Sequence, residues 1–271
     1  MNKYLHQYFQ SFDPNRKHLI SIITDALLFG ILLISFLLFT NYVQDSVYGL
    51  NSITHPDYIQ QRLSEMTSAE VQAFVVEMRT FLYGFVGGTF FLVLMTIFLF
   101  SLSNSVLWKK LLHQQFTWKT IPRWMGLTCF LILLLIIFLL ITLVLRVVLT
   151  YFFTRITTNE LALSVFNNAL SIGMLLIFVL FIFLTFYHLA KDNVVFNSIG
   201  KAFKMMKKKF WILFLLAWIT AHIPLVIALP FDNVLRFNQP LLKVLAVMIT
   251  LIYLTWLRIY LLKSVESEHL K

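Results

Sequence analysis

The chain has 271 residues, of which 59% are hydrophobic, 16% aromatic and 13% charged, and its mean hydropathy is +0.82. Soluble domains contain about 45–50% apolar and about 25% charged residues, so this composition excludes a soluble globular protein. Only 8 Gly and 6 Pro are present, which also excludes collagen-like and linker-like chains. An integral membrane protein remains, and its one cysteine, Cys129, leaves no intramolecular disulfide to form.

Six apolar stretches are long enough to cross a hydrocarbon core of about 30 Å, which requires roughly 20 helical residues. The sequence therefore predicts an all-α fold, a polytopic bundle of six transmembrane helices within a single membrane domain over residues 1–271. The first stretch has no small-residue cleavage site after it, so we expect an uncleaved span and not a signal peptide. The six predicted spans are Leu19–Tyr42, Phe81–Leu107, Met125–Phe153, Ser164–Leu189, Phe210–Pro230 and Leu241–Leu262.

Basic residues are distributed unequally between the two sides that six spans create. With both termini on one side, that side carries 16 of the 22 basic residues and 4 acidic residues, and the other side carries 6 basic and 7 acidic residues. The positive-inside rule then predicts that both termini lie in the cytoplasm, with the cell membrane as the location. Tryptophans next to the cytoplasmic span ends are predicted to anchor at the headgroups: Trp108, Trp118, Trp124 and Trp211.

A short amphipathic stretch precedes each odd-numbered span on the cytoplasmic side. These stretches predict three interfacial elbow helices with their apolar faces on the membrane. They also predict three repeats of elbow plus hairpin over 1–103, 104–196 and 197–271, the alternative being that similar elbows arose independently. The apolar stripes are Tyr4, Leu5, Tyr8, Phe9 and Phe12, then Trp108, Leu111, Leu112 and Phe116, then Phe196, Ile199, Ala202, Phe203 and Met206.

Residues 43–80 form the one sizeable extracytoplasmic segment, and this segment is acidic. Thr67 and Glu70 have the spacing of a capping box, so we predict a helix that starts near Ser68 and continues into the second span. Gly84, with Gly87 and Gly88, is expected to loosen that helix. The segment is interpreted as a small cap, with a partner-binding or ligand-gating element as the alternative.

Polar residues inside predicted spans are candidate site residues, because charge in hydrocarbon is costly and commonly faces a pathway or a partner. Asp25 and Arg258 lie near the cytoplasmic ends of the first and last spans and could form an ion pair, with snorkelling of Arg258 as the alternative. Arg146 either snorkels at the outer end of the third span or faces an anion. His222 lies beside Pro224 in the fifth span and either bonds a neighbouring helix or lines a cavity.

The cytoplasmic lysines are expected to contact anionic headgroups at about 1 kcal/mol each, and we predict no nucleic-acid partner. A protein partner or a homo-oligomer is left open. These basic residues are Lys109, Lys110, Lys201, Lys204, Lys207, Lys208 and Lys209.

No nucleotide-binding or zinc-protease motif is present, and no two histidines have the helical spacing of metal ligands. We therefore predict no metal, no cofactor and no enzymatic activity.

Segment 197–204, followed by the lysine-rich 207–211, resembles the membrane domain attached to some glycerophosphodiester phosphodiesterases, one of several prokaryotic six-span families. The phosphodiesterase catalytic domain itself is absent, so the resemblance implies a six-span membrane domain and no catalytic residue.

Two functions are compatible with these observations. The first is a non-enzymatic membrane protein that organises the membrane or partner proteins, as the elbows and basic residues suggest. The alternative is a transporter or permease subunit that works with a separate ATPase, in which the 108–124 loop would be the coupling element. A polar cavity joining the intramembrane residues would favour the second, and a dry apolar bundle the first.

Overall fold

The computed structural model describes residues 3–13, 16–51, 67–228 and 239–266. Side chains at 3–5, 47–51, 161, 207–210, 212–213, 223–228, 239–243 and 266 lie outside the description. Within the described ranges the regular structure is entirely helical, as predicted. The helices are α1 (Lys3–Gln10), α2 (Arg16–Asn51), α3 (Ser68–Leu111), a 3-10 helix (Trp118–Thr120), α4 (Ile121–Ile156), α5 (Glu160–Asp192), α6 (Val195–Ala228) and α7 (Gln239–Glu266).

Five segments of these helices are long and apolar enough to cross a membrane: Arg16–Ser46, Ser68–Leu111, Trp118–Ile156, Ala162–Asp192 and Val244–Val265. They correspond to five of the six predicted spans and support a multi-pass membrane protein. The remaining predicted span, Phe210–Pro230, falls mostly on α6, where many side chains lie outside the description.

The start of α3 confirms the predicted capping box. The backbone N of Thr67 donates to Glu70 Oε2 at 2.8 Å, and the backbone N of Glu70 donates to Thr67 Oγ1 at 3.4 Å. The helix begins at Ser68 and continues without a break to Leu111. Two otherwise unsatisfied N–H groups of the first turn are thereby satisfied.

Hydroxyl groups along the helices donate to carbonyls one turn earlier in the same helix. Such bonds satisfy a polar side chain where no water is available. Examples are Thr24 to Ile20, Thr40 to Phe36, Thr80 to Val76, Thr142 to Phe138, Thr185 to Phe181 and Thr250 to Ala246.

The chain divides into two compact units, one of residues 27–100 and one of residues 1–26 with 101–271. In the first unit, α2 and α3 pack closely at glycines. A Cβ atom on Gly88 would lie only 2.6 Å from the ring of Phe39. A Cβ atom on Gly84 would likewise collide with the side chain of Tyr42. The expectation that these glycines loosen the helix is wrong for both positions, since each lies in unbroken helix and admits an aromatic ring.

In the larger unit, aromatic rings join α4 to α5 along the hairpin that the two helices form. Phe153 stacks on Phe166 with ring centroids 4.2 Å apart, and Phe138 stacks on Phe178 at 5.0 Å. A hydrogen bond of 2.6 Å from Thr150 Oγ1 to Asn167 Oδ1 closes the same pair of helices near the end distant from Asp192.

Helices α5 and α6 are joined by a two-residue link and pack along their lengths. The Phe181 and Phe203 rings are 4.7 Å apart, and further along Trp218 Nε1 donates to the carbonyl of Ala169 at 3.3 Å. Trp218 also lies against Gly173, so small residues of α5 allow the close packing of these two helices.

The predicted second and third elbows are not separate helices in this structure. The third lies within the continuous helix α6, where Ile199 and Ala202 of its apolar stripe are buried, whereas Phe196 and Phe203 of the same stripe are 81% and 49% exposed. The residues of the second predicted elbow are divided between the end of α3, which ends at Leu111, and the loop after it, in which residues 114–117 are not helical.

Two of the four predicted tryptophan anchors are buried. Trp108 and Trp124 are both 0% exposed, so their headgroup role is wrong, whereas Trp118 and Trp211 are 67% and 71% exposed. An indole near the end of a span can lie either at the membrane interface or against another helix. At these two positions it lies against α5: the ring centroids of Trp108 and Tyr187 are 6.4 Å apart, and those of Trp124 and Phe186 are 5.4 Å apart.

Candidate functional site

Asp25 of α2 and Arg258 of α7 form a buried ion pair, as the sequence suggested they could. Arg258 Nη1 donates to Asp25 Oδ2 at 2.9 Å, and Nη2 lies 3.4 Å from Oδ1. The residues are 6% and 4% exposed, so neither charge is solvated by bulk water. The snorkelling alternative for Arg258 is thus not adopted.

Two further groups lie beside the Arg258 guanidinium, whose Nε is buried and has no partner among the described residues. Nη1 also donates to the hydroxyl of Ser21, one helical turn before Asp25, and the guanidinium lies 4.9 Å from the ring centroid of Phe183 in α5. Burial of two charges is costly and is offset only by close geometry and additional hydrogen bonds. The carboxylate, the hydroxyl and the aromatic face supply these, and together they join α2, α5 and α7 at one point.

The N-terminal helix α1 packs beside this point, on α6 and α7. The ring of Tyr8 contacts Trp256 and Tyr260 edge-on at 5.7 and 5.8 Å, and its hydroxyl lies 2.8 Å from Thr220 Oγ1. Lys263 Nζ donates to the carbonyl of Gln10 at 2.6 Å. One side of α1, the predicted first elbow, therefore packs against α6 and α7.

The other edge of α1 remains open. Phe9 is 58% exposed, which leaves apolar surface for lipid, whereas Phe12, beyond the end of α1, stacks on Trp256 with ring centroids 5.2 Å apart.

His222 does not join the ion pair. Its Nδ1 lies 2.7 Å from the carbonyl of Trp218 one turn earlier, and the two rings meet edge-on at 4.6 Å. His222 thus bonds its own helix, and not the neighbouring helix that its sequence context suggested. The side chain of Pro224 lies outside the described residues.

Arg146 is exposed and lies at the opposite end of the α4–α5 hairpin. Arg146 precedes Thr150 by one turn of α4, and Thr150 bonds Asn167 of α5. Arg258 lies beside Phe183, which comes 16 residues after Asn167 in α5. At 1.5 Å per residue this separation is about 24 Å along α5. Arg146 and Arg258 therefore cannot serve one compact site.

The cytoplasmic lysines differ in their surroundings. Lys110 and Lys204 are exposed, and Lys201 pairs with Asp192 at 2.6 Å, whereas Lys109 is only 4% exposed. The expectation that Lys109 lies among headgroups is not met by this placement, because its side chain packs inward from the last turn of α3. The side chains of Lys207, Lys208 and Lys209 lie outside the described residues.

A buried polar layer lies between α3 and α4, and none of its residues was predicted from the sequence. Ser101 Oγ and Thr128 Oγ1 are 2.8 Å apart, and Ser105 one turn beyond is 0% exposed. A usable signal was present, since Ser101 and Ser105 recur at i and i+4 and share one helix face.

Among the described residues, no cluster of three or more His, Cys, Asp or Glu side chains could hold a metal ion. The chain matches no protein-family model, no curated protein and no solved structure.

Proposed function

We propose that this protein is a non-enzymatic integral membrane protein that organises the membrane or partner proteins. The observation that carries the proposal is that its candidate intramembrane polar residues do not converge on one place. Asp25 and Arg258 neutralise each other, His222 bonds its own helix, and Arg146 lies about 24 Å from the ion pair along α5. A transport pathway would need such groups to line a shared route.

The proposal includes six spans with both termini in the cytoplasm of a cell-membrane protein. Helix α6 has 34 residues, or about 51 Å at 1.5 Å per residue, which is more than enough for the additional span. The excess of basic residues on one side supports the orientation. The resemblance to the membrane domain attached to some glycerophosphodiester phosphodiesterases is part of the same proposal.

The proposed partners are anionic headgroups at the cytoplasmic face, together with a protein partner or a second copy of the chain. Lys110 and Lys204 support the first, because both are exposed. Nucleic acid and cofactors have no role in this proposal.

A permease subunit that couples to a separate ATPase is the second candidate. One observation favours it: the loop between α3 and α4 presents Trp118, which is 67% exposed and lies next to Lys119. Exposed aromatic and basic side chains on a cytoplasmic loop could dock a soluble subunit.

Affinity capture of the tagged full chain from gently solubilised native membranes separates the two candidates. We expect a stoichiometric membrane partner that is not an ATPase, and co-purified anionic lipid whose amount falls when Lys110 and Lys204 are changed to Glu. Changing Arg155 to Glu is the matched control, since Arg155 is exposed and predicted to lie on the other side. Recovery of a stoichiometric ATPase that is lost on changing Trp118 to Ala would contradict the proposal and support the permease.

A further inference from the structure

Four residues that carry hydrogen-bond donors are buried where α3 ends and α4 begins. Ser105, Trp108 and Lys109 lie in the last turns of α3, and Trp124 lies in the first turn of α4. Ser105, Trp108 and Trp124 are 0% exposed and Lys109 is 4% exposed. We call these four residues the donor cluster.

The hydrogen bond between Ser101 and Thr128 fixes the register of this hairpin. Ser105 follows Ser101 by one turn and Trp124 precedes Thr128 by one turn, so Ser105 and Trp124 share the next level of the antiparallel pair. The two indoles also reach the same stretch of α5: Trp108 contacts Phe183 at 6.1 Å, and Trp124 contacts Phe186 at 5.4 Å.

Three donors of this cluster are buried and have no acceptor among the residues that the structure describes. This holds for Ser105 Oγ, Trp108 Nε1 and Trp124 Nε1, and no described carboxylate pairs with Lys109. The hydroxyls one turn deeper are satisfied, because Ser101 and Thr128 bond each other and Thr128 also donates to the carbonyl of Trp124.

The chemistry of the donors specifies what would complement them. An indole N–H and a lysine ammonium can only donate, and a hydroxyl can donate. Buried donors without acceptors are destabilising, and a buried cation without a counter-ion more so. A ligand that relieves this must present several acceptor oxygens and negative charge. A phosphate group has both properties.

We propose that the donor cluster is a binding site for one phosphate group at the end of α3. Lys109 lies at the end of the site that is nearest to solvent, because it is two residues from the end of the helix and next to the exposed Lys110. The phosphate belongs either to a lipid headgroup or to free phosphate. The site goes beyond the proposed function, since it needs no partner protein, and the affinity capture described above tests that function separately.

The test uses the purified full chain in a neutral detergent. Equilibrium dialysis against radiolabelled inorganic phosphate is the first arm, and native mass spectrometry with added phosphatidylglycerol is the second. We expect saturable binding of one phosphate group per chain in at least one arm, and the arm that binds identifies the source. Lys109→Gln should weaken binding at least tenfold, whereas Lys110→Gln, the matched loss of an adjacent exposed charge, should change it less than twofold.

Trp124→Phe supplies a second variant that keeps an aromatic ring and removes one donor, with the exposed Trp118→Phe as its control. We expect at least a threefold loss for the first and none for the second, which covers the case in which Lys109→Gln fails to fold. No saturable one-to-one binding in either arm would overturn the proposal. Equal effects of the two lysine variants, or of the two tryptophan variants, would also overturn it, because binding would then be a general property of the basic surface.

Discussion

Asp25 and Arg258 are 233 residues apart in sequence, yet their side chains form an ion pair at 2.9 Å between α2 and α7. Each residue belongs to a helix that is long and apolar enough to cross a membrane. The pair therefore joins early and late parts of the chain at a point that bulk water does not reach. Its contribution is easiest to measure by leaving one charge without its partner.

Arg258→Gln should destabilise the protein by about 3–5 kcal/mol, because Asp25 would be left as an unpaired buried carboxylate. The double variant Asp25→Asn with Arg258→Gln should recover much of that loss. Thermal unfolding in detergent measures both, and Arg146→Gln is the control, since Arg146 is exposed. Additive effects of the two single changes would contradict a direct coupling between Asp25 and Arg258.

Gly88→Leu should destabilise the hairpin of residues 27–100 by about 1–3 kcal/mol, because the new side chain needs the space that the Phe39 ring occupies. Gly87→Leu is the matched control: a Cβ there meets nothing within 4 Å, and Leu has the higher helix propensity. The midpoint of chemical unfolding compares the two variants. Equal midpoints would contradict the packing of Phe39 on Gly88.

Tyr8→Ala should release α1 from α6 and α7, because it removes two ring contacts and the hydrogen bond to Thr220. Limited trypsin digestion of the detergent-solubilised chain should then cut at Arg16 about tenfold faster, in line with a loss of about 1.4 kcal/mol. Phe9→Ala, at the neighbouring ring that is 58% exposed, should change the rate far less. Equal acceleration by both variants would show that Tyr8 does not hold the helix.

Cysteine labelling in whole cells tests the proposed orientation. In a background where Cys129 is replaced by Ser, Ser68→Cys should react with a membrane-impermeant reagent in intact cells, and Gly200→Cys only after permeabilisation. Both positions are exposed, and a Cβ on Gly200 meets nothing within 4 Å. The reverse pattern would place the basic side outside and contradict the predicted topology.

The sequence was sufficient for features that depend on local chemistry. The Thr67 capping box starts α3 at Ser68, and five apolar stretches became helices long enough to span a membrane, because both depend on neighbours within a few residues.

Features that depend on which helix lies beside which could not be derived from one sequence. Trp108 has the same local surroundings whether it meets headgroups or α5, and only the position of Phe183 and Tyr187 decides between them. Lys109 and Lys110 are neighbours of the same type, yet one is buried and the other exposed, because a helix turns successive residues by about 100°. The apolar face at Ile199 was predicted to lie on lipid and instead is buried in protein.

The contact between Tyr8 and Thr220 sets an order of events during synthesis. Because 212 residues separate the two side chains, α1 cannot dock on α6 until those further residues have been made. At about 5–20 residues per second, the ribosome needs on the order of ten to forty seconds to make that stretch. During this interval the amphipathic α1 has only lipid or a chaperone to cover its apolar face. The synthesis of α6 and α7 therefore determines when α1 reaches its final position.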